Sequence, residues 1–149
     1  MTMNSRDALD TLGQKLSDAI TTIPIVSDGN SDYILPDSPS SFIFVDCYIW
    51  DTTIVEFGGG LLRNRYRSRG NYDVYCLIPK GYGRNMAMDY AQEVRDALTS
   101  FRANDLWVDN VLVTPGGDGS TLKLVGISSD IDNYYFAVAE VSFYFDEIG

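Results

Sequence analysis

The stretch that decides the fold is Gly58–Pro79, which reads G-G-G-L-L-R-N-R-Y-R-S-R-G-N-Y-D-V-Y-C-L-I-P. Its arginines occupy every second position, at Arg63, Arg65, Arg67 and Arg69. Successive side chains of a strand point to opposite faces, so this spacing puts the four guanidinium groups on one side of an extended segment, whereas a helix would scatter them. Beyond Gly70 the alternating face becomes apolar, with Tyr72, Val74, Cys76 and Ile78. The stretch predicts one long strand whose second half is sheet interior and whose first half is a charged arm.

A second strand is predicted over 41–53, and both of its faces are apolar. One face carries Ile43, Val45, Cys47 and Ile49, and the other carries Phe42, Phe44, Tyr48 and Trp50. Such a strand has to be covered on both sides, by helices on one and by another layer or another subunit on the other. Asp46 interrupts the aromatic face, and a carboxylate there needs a cation. An arginine of the row at 63–69 is the natural candidate.

The remaining elements follow from periodicity and turn residues. Apolar residues at helical spacing predict one helix from Asn4 or Ser5 that ends before Pro24, and a second that begins near Asn85. Residues 24–41 are predicted to be a long loop with room for a short strand at 33–35. Further strands are predicted over 106–114, 120–127 and 134–145, separated by the turns P-G-G-D-G and S-S-D-I-D-N. The order α-β-β-α-β-β-β is typical of an α+β domain with a mainly antiparallel sheet and two helices packed on one face.

Composition limits the class of protein. The chain has 149 residues, of which 45% are hydrophobic and 21% charged, and this fits a single domain over 1–149 with an extended arm or loop at about 51–69. The net charge of -10 disfavours adhesion of the whole chain to nucleic acid or to an anionic membrane, and the arginine row is a local exception. No apolar run approaches the roughly 20 residues that span a bilayer, and the N-terminus lacks the apolar segment of a signal peptide. We therefore expect no membrane partner and synthesis in a cytoplasm.

The sequence offers no catalytic or metal-binding motif. It contains no histidine, so Ser-His-Asp, Cys-His and His-based metal chemistry are excluded. The glycines at 58–60 are followed by neither a Walker lysine nor a helix, and Asp130-x-Asp132 lacks the glycine and closing glutamate of a calcium loop. Cys47 and Cys76 lie in apolar strand patterns and are expected to be buried free thiols. We expect no enzyme activity, no cofactor and no metal.

The arginine row has three interpretations. It is a solvated strand face, or a contact in which arginines meet the acidic surface of a neighbouring copy, or a nucleic-acid contact assisted by Tyr66 and Tyr72. Bidentate pairs of arginine with carboxylate are favoured at interfaces, whereas the overall charge opposes nucleic acid. The dependence of binding on salt would separate these interpretations.

The order of elements and the central segment resemble the tail terminator proteins of long-tailed bacteriophages. The segment R-Y-R-S-R-G-N-Y-D-V-Y-C-L-I-P-K-G-Y-G, which leads into an amphipathic helix, carries the resemblance. The matching positions are Arg67, Arg69, Gly70, Tyr72, Val74, Tyr75, Pro79 and Gly81, with Ala91, Val94 and Leu98 on the helix. The resemblance covers about 5–145 in layout, and it departs at 106–127, which is longer and richer in turns than in the family.

The resemblance implies a structural protein of the virion. Tail terminators form a six-membered ring that caps the head-proximal end of the tail tube, stops tube polymerisation and provides the surface to which the filled head is joined. The implied partners are copies of the same chain, the tail tube protein and a head-completion or connector protein. Genomic DNA would pass through the pore without specific binding, and assembly would take place in the host cytoplasm. The family has no catalytic residues.

The residues expected at the subunit or tube interface are Arg63, Arg65, Arg67, Arg69, Asp46, Phe57, Leu61 and Leu62. A closed ring would let each arm reach the next subunit. Two other functions remain open: another connector or completion protein of the head-tail junction, and a small nucleic-acid-binding module that uses the Arg63–Arg69 row.

Charge reversal at Arg65 and Arg67 is expected to abolish ring formation or tube capping, because it would oppose like charges across the subunit contact. Light scattering of the purified variant, alone and with the tube protein, measures this. Unchanged assembly would contradict a role of these arginines between subunits.

Overall fold

The computed structural model describes residues 4–27, 40–56, 64–118 and 134–148. These residues form α1 (Ser5–Ala19), β1 (Ile25–Ser27), β2 (Phe42–Glu56), β3 (Arg65–Pro79), a 3-10 turn (Lys80–Tyr82), α2 (Arg84–Leu98), β4 (Arg102–Ala103), β5 (Leu106–Asp118) and β6 (Tyr134–Ile148). The strands make one curled six-stranded sheet in the order β1-β2-β3-β6-β5-β4. Among the strands that the structure describes, β1 and β2 are the one parallel pair. The described chain is therefore mixed, mostly strand, and roughly the expected α+β class.

Strand β3 lies at the centre of the sheet. It pairs with β6 without interruption from Arg65 opposite Ile148 to Pro79 opposite Tyr134. On its other side it pairs with β2 from Arg65 to Leu77, with two register shifts. The arginine segment is thus held between two strands and does not extend as an arm, and residues 51–56 continue β2. The rest of the expected arm, 57–63, lies outside the described residues.

The strand order also differs from the predicted one at three places. Strand β1 lies in the segment predicted to be a loop, and the two-residue β4 was not predicted. Strand β5 continues through the predicted turn at 115–118, with a register shift between Pro115 and Gly117. Proline and glycine fit a bulge near a sheet edge as well as a turn, and the sequence could not separate the two. The strands predicted at 33–35 and 120–127 lie outside the described residues.

Both helices begin and end close to the predicted positions. The Asn4 side chain accepts a hydrogen bond from the Asp7 amide at 2.9 Å, and the Asp7 carboxylate accepts one from the Asn4 amide at 3.4 Å, which makes a capping box. Helix α1 ends at Ala19, before Pro24, and α2 begins after Gly83, whose φ of 84° favours glycine. Neither of these 15-residue helices is long and apolar enough to cross a membrane.

The main core joins the helices to one face of the sheet, called here the first face. From the helices it receives Ala8, Leu12, Leu16, Ala87, Ala91, Val94 and Leu98. From the four long strands it receives alternate residues such as Val45, Val74, Ala139 and Val111. Helix α2 contacts β6, β5 and β3. Small side chains on α2 and at Ala137 and Ala139 of β6 leave room for the helix at this position.

The opposite face, called here the second face, has a smaller core at one end. It comprises the buried side chains of Val26, Phe42, Phe44, Leu77, Tyr134 and Phe136. The prediction that both sides of β2 are apolar is confirmed for this end of the strand. Farther along β2, Tyr48 and Trp50 are about half exposed, at 49% and 58%.

Gly70 is a point of close approach between β3 and the strands on either side of it. A Cβ atom there would lie 2.5 Å from the Tyr48 carbonyl oxygen and 3.0 Å from the Phe143 ring. Gly70→Ala is expected to lower the free energy of unfolding by about 1 to 3 kcal/mol through overpacking, measured by urea unfolding. Gly81→Ala is the matched control because its Cβ would meet nothing within 4 Å. Equal stability of the two variants would contradict this close approach.

Candidate interaction surface

The second face changes from apolar to acidic to basic along β3. Its side chains on that strand are, in spatial order, Leu77, Tyr75, Asp73, Asn71, Arg69, Arg67 and Arg65. The neighbouring strands carry the same zones, because residues in register share a face. Asp46 of β2 and Glu140 of β6 lie opposite Asp73, and Asp146 of β6 lies opposite Arg67. The second face therefore carries the charged side chains of β2, β3 and β6 next to one another.

Two arginines of the row converge on one buried carboxylate. Arg67 donates from Nε to Asp146 Oδ1 at 2.8 Å and from Nη2 to Oδ2 at 3.0 Å, a bidentate pair. Arg65 Nε donates to Oδ2 at 2.8 Å. The Asp146 side chain is 2% exposed, while both arginine side chains stay about a third exposed, at 38% and 30%. Asp146 thus ties the start of β3 to the end of β6.

The pKa values agree with this geometry. Burial alone raises the pKa of Asp146, but the hydrogen bonds from Arg67 and Arg65 outweigh burial, and the pKa ends below its ordinary value. The same hydrogen bond holds the pKa of Arg67 above its ordinary value. Because the folded-state pKa of Asp146 is depressed, its contribution to stability is present above the unfolded pKa and is lost as the pH falls through the folded one.

Aromatic rings extend the basic zone across β6 and β5. Trp107 and Tyr144 stack with 5.2 Å between ring centroids. The Arg67 guanidinium lies 4.8 Å from the Tyr144 ring, and Arg102 lies 5.1 Å from the Trp107 ring. Arg69 lies 5.7 Å from Tyr144. Cation-π contacts of this kind stabilise by about 0.5 to 1 kcal/mol each at exposed sites. Rings therefore hold all three arginines in place, and Asp146 holds Arg67 as well.

The acidic zone places three carboxylates side by side. Asp46, Asp73 and Glu140 are in register on three adjacent strands. Asp73 is the central one; the residue is 8% exposed, and its Oδ1 has no hydrogen-bond partner among the described residues. Burial and then the charge of Glu140 raise the pKa of Asp73 to about 6, Asp46 adds to this, and the hydrogen bond from Asn71 acts in the opposite direction. Like charges directly opposite one another destabilise a sheet, so this row costs stability at neutral pH.

Two tyrosines flank the carboxylates on the same face. Burial, followed by the charges of Asp73, Glu140 and Asp46, raises the pKa of Tyr48 above its ordinary value. Tyr75 is affected by burial and by the same three carboxylates, and its pKa is raised as well. The acidic zone therefore consists of carboxylates between neutral phenols, with Asn71 separating it from Arg69.

The structure places the predicted interface residues in different surroundings. Arg65 and Arg67 form ion pairs with Asp146, whereas the sequence predicted an arginine of the row for Asp46. Asp46 lies opposite Asp73, about 13 Å along β3 from Arg69. Arg69 contacts the Tyr144 ring, and it has no ion pair with a described carboxylate. Phe57, Leu61, Leu62 and Arg63 lie outside the described residues.

Sequence reasoning missed the partners that the other strands bring to β3. These are Asp146, Tyr144, Glu140, Trp107 and Arg102. Tyr144 and Asp146 continue the period-two pattern of the last strand, and this was a readable signal that they share a face with Glu140. No local pattern along the chain specifies the register that places Asp146 opposite Arg67.

The outer half of β2 forms an exposed apolar edge. Within the described residues, β1 pairs with β2 at Ile43–Val45, and Asp46–Glu56 pair on the β3 side alone. Four of the large apolar side chains that are exposed lie in this half: Tyr48, Trp50, Ile54 and Val55. Trp50 donates from Nε1 to Asn71 Oδ1 at 3.0 Å, which fixes its ring over the second face. Exposed edges of this length and apolarity usually pair with or pack on another chain.

Comparison with known proteins does not assign the chain to a family. No protein-family model matches the chain, and no curated protein matches it. In the part of the chain that the structure describes, no group of three or more Cys, Asp or Glu side chains is placed to hold a metal ion.

Asp146→Asn is expected to lower the free energy of unfolding by about 2 kcal/mol at pH 7, because two arginines lose their charged acceptor. The loss is smaller than for a fully buried ion pair, since both guanidinium groups can rehydrate. Chemical unfolding at pH 7 and pH 3 measures the effect, and the difference from the wild type should shrink at pH 3. Asp109→Asn, an exposed position of β5, is the matched control. If both variants were equally stable, Asp146 would not tie β3 to β6.

Proposed function

We propose that this chain is a structural subunit that assembles with copies of itself, and that it acts as a tail terminator of a long-tailed bacteriophage. The ring would cap the head-proximal end of the tail tube, stop tube polymerisation and carry the head-joining surface. In this arrangement both helices lie on the first face, and the second face and the β2 edge are turned towards neighbouring subunits.

The proposal of self-assembly rests on the exposed apolar side chains at the β2 edge. Tyr48, Trp50, Ile54 and Val55 are all exposed on the half of β2 that lacks a second strand partner among the described residues. Leaving these side chains in water costs about 25 cal/mol for each Å² of apolar surface, so their burial against another subunit is a source of association free energy. If this edge meets a different surface of the next copy, the contact is heterologous, and repeated contacts form a ring when the rotation between copies closes.

The arginine row has a divided role in this proposal. Arg65 and Arg67 are committed to Asp146 within the chain. Charge reversal at these two positions would place three carboxylates together and unfold the sheet, so it is a poor test of assembly. Arg69, held by an aromatic ring alone among the described contacts, remains the member of the row best placed to meet a neighbour. We also propose an interface role for the residues outside the described ranges that the sequence analysis named: Arg63, Phe57, Leu61 and Leu62.

The acidity of the chain suits a channel through which DNA passes. Six copies of a chain with net charge -10 would total roughly -60, and a pore of that sign repels the phosphate backbone. DNA would then slide without specific binding. The partners in this function are the tail tube protein and a head-completion or connector protein, and the ring would be located in the virion after assembly in the host cytoplasm.

A nucleic-acid-binding module is the second candidate, and the aromatic and arginine layer favours it. Arg67, Arg69 and Arg102 surround the stacked pair Trp107 and Tyr144, and such rings and cations bind single strands. Asp146 opposes this function, because it already neutralises part of the positive charge. Binding that falls steeply with salt would support the module, and its absence at low salt would exclude it. Another connector or completion protein of the same junction would differ from a terminator in copy number and position.

Ile54→Lys is expected to reduce assembly, because lysine at an edge strand opposes the addition of another chain. Light scattering of the wild type should give a multiple of 16.6 kDa, with about 100 kDa for a ring of six, and the variant should shift to the monomer. Electron microscopy with the tube protein should then show tubes that grow beyond the capped length.

Met86→Lys is the matched control, since Met86 is an exposed apolar residue on α2. It should assemble as the wild type does. A wild type that stays monomeric at all concentrations, alone and with the tube protein, would overturn the proposed function.

A further inference from the structure

The acidic zone of the second face contains a carboxylate that the rest of the described chain does not satisfy. Asp73 Oδ1 is buried, and none of the residues that the structure describes forms a hydrogen bond with it. Buried polar atoms are nearly always paired, and one that is not costs about 1 to 3 kcal/mol. Its neighbours in register, Asp46 and Glu140, add negative charge instead of removing it. A cation placed against these carboxylates would reduce the repulsion among them.

The geometry restricts which cation fits. Within the described residues no set of side chains has the placement of a metal site. Asp73 lies at the centre of the zone, Asn71 and Tyr75 lie two residues away from it on β3, and Tyr48 lies opposite Asn71 on β2. A guanidinium or an ammonium group can donate to several of these oxygens at once and can stack on a phenol ring. The site therefore fits a basic side chain better than a bare ion.

The chain itself provides such side chains on its exterior. Exposed arginines lie on both helices and at the sheet edge, at Arg6, Arg84, Arg95 and Arg102. Arg69 has no carboxylate partner among the described residues. The nearest arginine of the row is separated from Asp73 by Asn71 on the same strand, so the chain's own row lies beside the acidic zone. Acidic and basic zones on one surface make two copies complementary to each other.

We propose that Asp46, Asp73 and Glu140 form a cation-binding site on the second face, and that a guanidinium or ammonium group of a second copy of this chain occupies it on assembly. The inference rests on the self-association proposed above. It assigns the acidic zone a purpose: repulsion among three carboxylates destabilises the isolated subunit and is relieved at the contact between subunits.

Protonation makes this contact dependent on pH. Asp73, with its pKa near 6, is largely neutral at pH 5 and ionised at pH 7.5. The groups that face it are the carboxylates of Asp46 and Glu140, the phenols of Tyr48 and Tyr75, and the amide of Asn71. The partner cation binds the ionised form, so association should strengthen as the pH rises from 5 to 7.5. For the isolated subunit the sign is opposite, because a raised carboxyl pKa means that the folded state is favoured by protonation.

The test is Asp73→Asn, with sedimentation velocity at pH 5 and pH 7.5 and thermal unfolding of the dilute protein at the same pH values. At pH 7.5 the association constant should fall at least about tenfold, while the isolated subunit becomes more stable. At pH 5 the variant and the wild type should differ little in both measurements. Glu140→Gln should change both properties in the same directions. Asp89→Asn, an exposed position on α2, removes the same charge and should change neither.

Each outcome decides between the possibilities. If Asp73→Asn stabilises the subunit and leaves association unchanged, the acidic zone only destabilises the fold. The proposed cation-binding site is then overturned, while the proposed self-assembly stands. If the wild type is monomeric at both pH values, both proposals fail. Weaker association together with a more stable subunit is the result that a purely structural role of Asp73 does not produce.

Discussion

The pairing of β3 on both sides is the constraint on which the rest of the structure depends. Fifteen consecutive residues of β3 lie in register with β6, and most of them lie in register with β2 as well. This pairing fixes which residues meet on each face, because the side-chain period of a strand is two and a slip of one residue would exchange the faces. The buried first face and the polar second face both follow from this register.

Asp146 is the point where this register is held most firmly at the outer end. The carboxylate of Asp146 is buried and binds two arginines that are two residues apart, so a one-residue slip of β6 against β3 would turn it to the opposite face, away from both arginines. The apolar end of the sheet is held by packing of Phe42, Leu77 and Phe136. Between these two ends lies the row of Asp46, Asp73 and Glu140, where the same register brings like charges together.

The two proposals share one physical basis: the side chains on the first face of the sheet are well buried, whereas several on the second face and on the β2 edge are not. The helices provide the main core with the first face. On the second face and the β2 edge, Trp50 and Ile54 remain exposed and Asp73 remains unsatisfied. Natural monomers seldom keep both features, since each costs free energy. A protein that functions as part of an assembly can keep them, because the contact between subunits removes the cost.

The sequence by itself determined the local elements: the period of two in the arginine row, the two apolar faces of β2 and the spacing of both helices predicted strands and helices where they occur. These patterns depend on neighbouring residues, so they can be read along the chain. The turn predicted at 115–119 is strand as far as Asp118, and residues 65–69 of the arm predicted at about 51–69 are strand as well, because both segments pair with β6. Only the tertiary structure brought Asp146 to Arg67, and Asp46 and Glu140 to Asp73. Register between strands far apart in sequence is set by the packing of the whole sheet, and no local pattern contains it.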